Sequence, residues 1–165
     1  MMAMGKLRSA KLGLLVVVLV GAWGCSKPDY DGNRKKDAAS GHRPSQIEWG
    51  IIFLEGNKAA YPKDPAKAAR WFELAGTSTN YTVAKDESRW QINDRFGIPL
   101  ELIREANPDV DMNRIKGGET VVIPGARIAQ FNLGMLYEQG KGVKKDHKRA
   151  ADWHLLAADA GLADA

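Results

Sequence analysis

The sequence has almost no cysteine and little histidine. Cys25 is the only cysteine, so the chain cannot form an internal disulfide bond. Of the three histidines, His42 stands alone, and His147 and His154 have no third ligand at metal-binding spacing. We therefore predict no metal site and no cofactor, and we expect surface or repeat-packing roles for the histidines.

The sequence also lacks a hydrophobic run long enough to cross a bilayer. The run from Leu12 to Val20 is about half of the roughly 20 residues that a membrane-spanning helix needs. It follows a positively charged start that contains Lys6, Arg8 and Lys11. This order is typical of a secretory signal, which we predict at residues 1–24.

Small residues precede the lone cysteine in the stretch VGAWGC at residues 20–25, although Trp23 is bulky. The stretch resembles the lipobox of bacterial lipoproteins, in which the cysteine becomes the acylated first residue of the mature chain. The resemblance implies that Cys25 carries a lipid anchor. Ser26 rather than Asp follows Cys25, which by resemblance to the lipoprotein sorting rule favours the periplasmic face of the outer membrane.

Without the predicted signal, the chain has no large excess of positive or negative charge. The whole chain has 24 Lys and Arg against 20 Asp and Glu, and the signal holds three of the basic residues and none of the acidic ones. The remaining chain therefore has 21 basic and 20 acidic residues. This balance does not indicate a nucleic-acid partner.

Residues 25–44 lack any aliphatic side chain larger than Ala and hold one aromatic residue, Tyr30. Such a segment cannot bury enough apolar surface to offset the entropy lost on ordering. We therefore predict a flexible tether, which would reach about 60 Å if fully extended.

The chain does contain an internal repeat. Residues 46–76 and 130–161 carry similar residues in the same order: Gly50 and Gly134, Phe53 and Tyr137, Gly56 and Gly140, Asp64 and Asp146, Ala68-Ala69 and Ala150-Ala151, and Trp71 and Trp153. Each copy is predicted to form two helices around a turn, and small Ala and Gly residues let the helices approach closely.

The second copy resembles a Sel-one-like repeat of the tetratricopeptide-related solenoid class, and the first copy is degenerate. We place the first repeat at residues 45–79, and the second repeat with the stub of a third at residues 126–165. The resemblance implies a short α-solenoid of helical hairpins that recruits a protein partner.

Residues 80–125 interrupt this helical pattern. Two β-prone segments, Tyr81–Val83 and Thr120–Ile123, enclose two short predicted helices. An antiparallel pair brings the start of its first strand beside the end of its second, so the flanking helices can still stack. The predicted fold class is therefore α+β, a βααβ unit inserted in a short α-solenoid behind an N-terminal signal peptide.

Residue types at the ends of the two short helices support this prediction. Ser88 and Gln91 have the spacing of a capping box, and Gly97 is a typical C-terminal stop. Pro99 is expected to open the second helix, and Asn107-Pro108 to end it. We expect an apolar stripe on the first helix formed by Trp90, Ile92 and Phe96.

The inserted segment resembles a LysM domain. The residues that carry the resemblance are Tyr81 and Val83, Asp86-Glu87-Ser88, Trp90 and Ile92, Phe96-Gly97-Ile98, Leu102, Ala106-Asn107-Pro108, and Val121-Val122-Ile123-Pro124 after Gly117-Gly118. Members of this family bind N-acetylglucosamine-containing glycans, so the resemblance implies binding of peptidoglycan.

The resemblance also implies where glycan binds, namely a shallow groove between the loop after the first strand and the loop after the second helix. The matching residues are Asp86, Glu87, Ser88 and Arg89 on one side and Asn107, Pro108, Asp109 and Val110 on the other. Exposed backbone groups there suit the donor and acceptor of an acetamido group, while Pro and Val suit its methyl group.

Two positions depart from the family pattern. Asp86 stands where the family usually has Gly, and Arg89 stands where it usually has Leu. Asp tolerates a left-handed backbone better than most residues, so the turn can survive. Asp86 and Glu87 place two carboxylates where the carboxylates of peptidoglycan stem peptides approach, and Lys85, Arg89 and Arg114 offset them.

We predict no catalytic site. Adjacent carboxylates such as Asp86 and Glu87, at a loop-to-helix turn, rarely flank one glycosidic bond from both sides. Three functions then remain open. They are a lipid-anchored peptidoglycan-binding adaptor, which we favour, a protein-interaction scaffold whose altered groove has lost glycan affinity, and an accessory subunit that targets a cell-wall hydrolase.

Overall fold

The computed structural model describes residues 30–56 and 60–159. Its elements in chain order are α1 (Tyr30–Ala39), α2 (Arg43–Glu55), α3 (Pro65–Gly76), β1 (Thr79–Thr82), α4 (Arg89–Phe96), α5 (Leu100–Glu105), β2 (Thr120–Ile123), α6 (Arg127–Gln139) and α7 (His147–Asp159). The predicted α+β fold, with a βααβ unit inserted in a helical solenoid, is confirmed. None of these described helices is both long and apolar enough to span a bilayer.

The two strands form the predicted antiparallel pair. Thr79 lies opposite Ile123 and Thr82 opposite Thr120, so β1 begins two residues earlier than Tyr81. The inward side chains of β2, Val121 and Ile123, are fully buried. The core of this unit is completed by α4 and α5, which contribute apolar side chains at helical spacing: Ile92, Phe96, Leu100 and Ile103.

The helical solenoid continues across the insertion. Helix α6 packs against α3, where the Ala126 amide donates to the Ala75 carbonyl at 2.8 Å and Gln130 Nε2 donates to the Gly76 carbonyl at 2.9 Å. Gly125 lies directly against the Gly76 carbonyl, where a side chain would not fit. The close approach of the two chain ends lets the βααβ unit leave the helix stack unbroken.

Part of the predicted tether is instead a helix, so that prediction was wrong for the described residues from Tyr30 onward. Helix α1 docks on α2, where Ala38 is almost fully buried and its carbonyl accepts a hydrogen bond from Gln46 Nε2 at 3.0 Å. Arg34 Nη1 also pairs with Glu48 Oε2 at 2.9 Å. A helix that docks on a neighbouring helix needs only a small apolar contact. The prediction considered only large aliphatic side chains and so overlooked the contact made by Ala38.

The last residues of that segment belong to the first repeat. Helix α2 begins at Arg43, and the His42 ring caps it by accepting from the Ser45 amide at 3.3 Å. The predicted signal and Cys25 lie outside the described residues. His154 packs against Phe131 with ring centroids 5.4 Å apart, and His147 is exposed at the start of α7.

Candidate functional site

Two loops meet at one edge of the βααβ unit. The first connects β1 to α4, and the second connects α5 to β2. They are joined beyond the strand pair by hydrogen bonds from the Val83 amide to the Glu119 carbonyl and from the Gly118 amide to the Val83 carbonyl, both 2.8 Å. The loops on which sequence analysis placed the glycan groove therefore share one rigid base.

Asp86 forms the turn of the first loop. Its backbone has φ +62°, which makes it a non-glycine residue in the left-handed region, and its side chain is exposed. A short polar side chain is one of the few that this region tolerates. Asp86 thus replaces the glycine of the family pattern without loss of the turn.

Glu87 points inward, and this corrects the expectation that its carboxylate faces the ligand. Its Oε2 atom accepts from Tyr81 Oη at 2.6 Å and from the Ala84 amide at 2.9 Å, and Oε1 lies 3.5 Å from Arg95 Nε. Burial, and then the hydrogen bond to Glu87, raise the pKa of Tyr81. The buried carboxylate stabilises the first loop from inside, because it satisfies a loop amide.

Ser88 and Arg89 begin helix α4. The predicted capping box is present, since Ser88 accepts from the Gln91 amide and the Gln91 side chain accepts from the Ser88 amide at 2.8 Å. Arg89 is half-buried and its Nη1 donates to Asn113 Oδ1 at 2.7 Å. This hydrogen bond bridges the two loops.

Trp90 is 61% exposed, so its predicted place in the apolar stripe was wrong. At about 100° per residue, Trp90 lies roughly 160° around the helix from Ile92, on the opposite face. The ring contacts the guanidinium group of Arg89, with Cζ 5.1 Å from the ring centroid. A stricter count of helical periodicity would have placed it outside.

Asn107 anchors the second loop. Its Nδ2 donates to the Ile103 and Val122 carbonyls at 2.6 and 2.7 Å, and its Oδ1 accepts from the Val122 amide at 2.7 Å. The side chain is 6% exposed, and the two bonds to Val122 join the end of α5 to β2. Asn107 therefore shapes the groove, and its amide is not free to meet a ligand.

The remaining predicted residues of the second loop lie at the surface. Pro108 and Asp109 are exposed, and Val110 is half-buried with one side against the core. Met112 of the same loop is 2% exposed and belongs to the hydrophobic core. Sequence analysis missed Met112, because nothing in its local pattern marks it as buried.

A buried arginine joins the βααβ unit to the helical repeats. Arg43, which sequence analysis placed in the tether, donates from Nη2 to the Thr77 carbonyl at 2.9 Å and to the Ile123 carbonyl at 3.3 Å, and from Nη1 to the Pro124 carbonyl. Burial lowers the pKa of Arg43 to about 10, so the side chain stays charged at neutral pH. It therefore fixes both ends of the insertion to the start of α2.

A shallow open cleft of about 490 Å³ lies near this junction. It is lined by α3 and the segment that leads into β1, through Arg70, Glu73, Leu74, Thr77, Ser78 and Thr79. The cleft and the loop groove are separate features. In residues 30–56 and 60–159, no cluster of three or more His, Cys, Asp or Glu side chains is arranged to hold a metal ion.

Comparison with known families agrees with this architecture. The family model of the Sel1 repeat matches residues 43–80 and 127–162, and that of the LysM domain matches residues 81–124. The chain therefore consists, over these residues, of a LysM domain flanked by two Sel1 repeats. Both are binding modules rather than catalytic ones.

The solved structures that are similar to the chain include the following two. A Sel1 repeat protein from Oxalobacter formigenes is 22% identical, over 81% of this chain and 91% of that one, with a TM-score of 0.27. The antigen c5321, a protective antigen from uropathogenic Escherichia coli with an SLR fold, is 27% identical over 79% of this chain with a TM-score of 0.26. The chain spans 25% of the c5321 chain. No curated protein matched the chain significantly.

Proposed function

We propose that the protein is a non-catalytic lipoprotein that binds peptidoglycan at the periplasmic face of the outer membrane. In this proposal the two LysM loops bind N-acetylglucosamine-containing glycan, the Sel1 repeats bind a protein partner, and a lipid on Cys25 anchors the chain. The observation that carries the glycan part is the pair of adjoining loops, bridged at 2.7 Å by Arg89 and Asn113 and braced from within.

The bracing favours binding. Glu87 and Asn107 hold the two loops through buried hydrogen bonds, so little conformational entropy is lost when a ligand is bound. The acetamido group of the sugar has one donor and one acceptor, which exposed loop backbone can satisfy. The exposed Pro108 and the outer side of Val110 offer apolar surface to its methyl group.

The helix found in the predicted tether changes the geometry of anchoring. Only residues 26–29 separate Cys25 from the start of α1 at Tyr30. Even fully extended, this connection spans at most about 17 Å. A lipid on Cys25 would therefore keep the folded part close to the membrane, and this confinement raises the effective concentration of a weak glycan site near the wall.

Cosedimentation with purified peptidoglycan sacculi tests the glycan site. The full chain is expected to sediment with sacculi, and soluble N-acetylglucosamine oligomers are expected to displace it. Arg89→Glu breaks the bridge between the loops and adds a carboxylate there, and it should weaken binding about tenfold. Arg104→Glu, the same change at an exposed position of α5, is the matched control and should bind as the unchanged chain does.

The outcome also separates the other two functions. If the full chain fails to sediment, the proposal is wrong and the scaffold that has lost glycan affinity is favoured. The exposed acidic residues of the loops, Asp86, Asp109 and Asp111, are the observation that supports this alternative, since they repel stem-peptide carboxylates. Muropeptide release by separate hydrolases, measured with and without the chain, tests the role of an accessory targeting subunit.

A further inference from the structure

One end of the solenoid carries the hairpin turns, and the other end carries the LysM domain. The turn of each helical hairpin lies at one end, because Gly142 in the second turn packs against the backbone of Pro65 and Ala66 at the start of α3. The LysM domain follows the last residue of α3 and precedes α6, so it lies at the opposite end. We call these the turn end and the LysM end.

The described chain begins at the turn end. Helix α1 runs antiparallel to α2, because Ala38 contacts Gln46 while the earlier Arg34 pairs with the later Glu48. Tyr30, the first residue of α1, therefore lies toward the C-terminal end of α2, beside the hairpin turns. Residues 1–29, which include Cys25, join the fold from this side.

The turn end is basic although the chain as a whole is nearly balanced. Residues 141–149 hold five basic residues and one acidic residue, Asp146, whose Oδ1 accepts from the Arg149 amide at 3.0 Å as a helix cap. The side chains of four lysines there are exposed: Lys141, Lys144, Lys145 and Lys148. On the adjacent first turn Lys63 is exposed too, while the exposed Lys67 pairs with Asp64 Oδ2 at 3.0 Å. Residues 80–125, by contrast, hold six basic and eight acidic residues.

We propose that the turn end binds an anionic phospholipid surface and so orients the LysM domain away from the membrane. This inference rests on the lipid anchor of the proposed function. The attraction of lysines to anionic lipid falls off within a Debye length of about 8–10 Å, so only the end nearest the membrane gains from it. Helices α2 and α6 are each about 20 Å long, which places the acidic LysM end beyond that range.

Lysine footprinting on the full lipidated chain tests this orientation. The chain is reconstituted on vesicles of phosphatidylethanolamine with phosphatidylglycerol, and on neutral phosphatidylcholine vesicles, and the acylation rate of each lysine is read by mass spectrometry. On the anionic vesicles, Lys141, Lys144, Lys145 and Lys148 should react about fivefold more slowly than on neutral ones, and high salt should abolish the difference. Lys85 and Lys116 of the LysM domain serve as internal controls and should not change.

A pair of variants sharpens the test. Lys144→Glu with Lys145→Glu should return the acylation of Lys141 and Lys148 to the rate seen on neutral vesicles. Arg104→Glu with Lys116→Glu makes the same change in charge at the LysM end. This control variant should leave the protection of Lys141 and Lys148 intact. Three results would each overturn the inference. They are equal acylation rates of the turn-end lysines on both vesicle types, protection of the LysM lysines instead, and protection that requires an added acidic protein.

Lysine footprinting and cosedimentation with sacculi test separate claims, so either test can fail while the other succeeds. A chain that sediments with sacculi but shows no lipid-dependent protection retains the glycan site and loses the orientation. A chain that does not stay on neutral vesicles lacks the lipid anchor. Its lysine acylation rates on anionic vesicles then decide whether the turn end binds lipid by itself.

Discussion

Equivalent positions of the two helical repeats are buried to different extents. Phe72 on α3 is fully buried and its ring lies against Gly50, whereas His154, at the same place on α7, lies against Gly134 and is half-buried. Helix α3 is covered by α6, and in the part of the chain that the structure describes no helix covers α7 in the same way. The burial of a repeat helix therefore depends on its neighbour as well as on its own sequence.

A second pair of equivalent residues shows the effect of the insertion. Arg43 and Arg127 both begin the first helix of their repeats. Arg43 is 2% exposed because the two ends of the LysM domain lie over it, whereas Arg127 is half-buried. Arg43 is thus an internal link between the insertion and the first repeat.

The largest difference in stability between the repeats is expected from substitutions in their second helices, α3 and α7. Phe72→Ala should lower the free energy of unfolding by about 3–5 kcal/mol, because it opens a cavity between α2 and α3. His154→Ala should cost less than about 1 kcal/mol, since the site is partly exposed. Urea unfolding followed by circular dichroism measures both, and equal costs would contradict the difference in burial.

A smaller difference is expected between the two arginines. Arg43→Ala should cost about 2 kcal/mol, because it leaves carbonyls at the insertion without their donor, while Arg127→Ala should cost less than about 1 kcal/mol. Hydrogen exchange gives a second readout, in which Arg43→Ala should speed exchange of the β2 amides more than those of α7. If Arg43→Ala leaves β2 unaffected, the arginine does not hold the insertion.

The smallest effect concerns the caps of α3 and α7. Asp64 and Asp146 each accept from the amide three residues later at 3.0 Å. The hydrogen bond to the Lys67 amide, and then the contact with its side chain, lower the pKa of Asp64 below its usual value. Its charge therefore stabilises the fold above the unfolded pKa of about 3.9, and this contribution is lost as the pH falls through the lowered value.

Asp64→Asn keeps a capping side chain but removes that charge, so it should lower the urea midpoint slightly at neutral pH. The difference from the unchanged chain should vanish in acid. Asp146→Asn is the same change in the second repeat, where the Arg149 guanidinium bonds Tyr137 Oη at 2.8 Å, and it serves as the matched variant at neutral pH. A pH-independent effect of Asp64→Asn would show that the hydrogen-bond geometry alone matters.

Much of the LysM domain could be predicted from its sequence because its signals are local. The capping box of Ser88 and Gln91 and the left-handed C-cap at Gly97 involve residues within one helix and are both present. The direction of the Glu87 carboxylate was not predictable, because it depends on Tyr81 in β1 and Arg95 in α4. Likewise Asn107 fits the pattern of a helix stop, but its bonds to β2 appear only in the folded unit.

The sequence by itself determined the repeat, the insertion and the antiparallel strand pair, because periodic apolar residues, caps and turn residues act over short distances along the chain. Only the tertiary structure decided that α1 docks on α2, that Arg43 is buried and that the lysines of two hairpin turns gather at the end of the solenoid where α1 begins. These features arise from residues distant in sequence whose packing free energies depend on one another, and no local pattern contains that information.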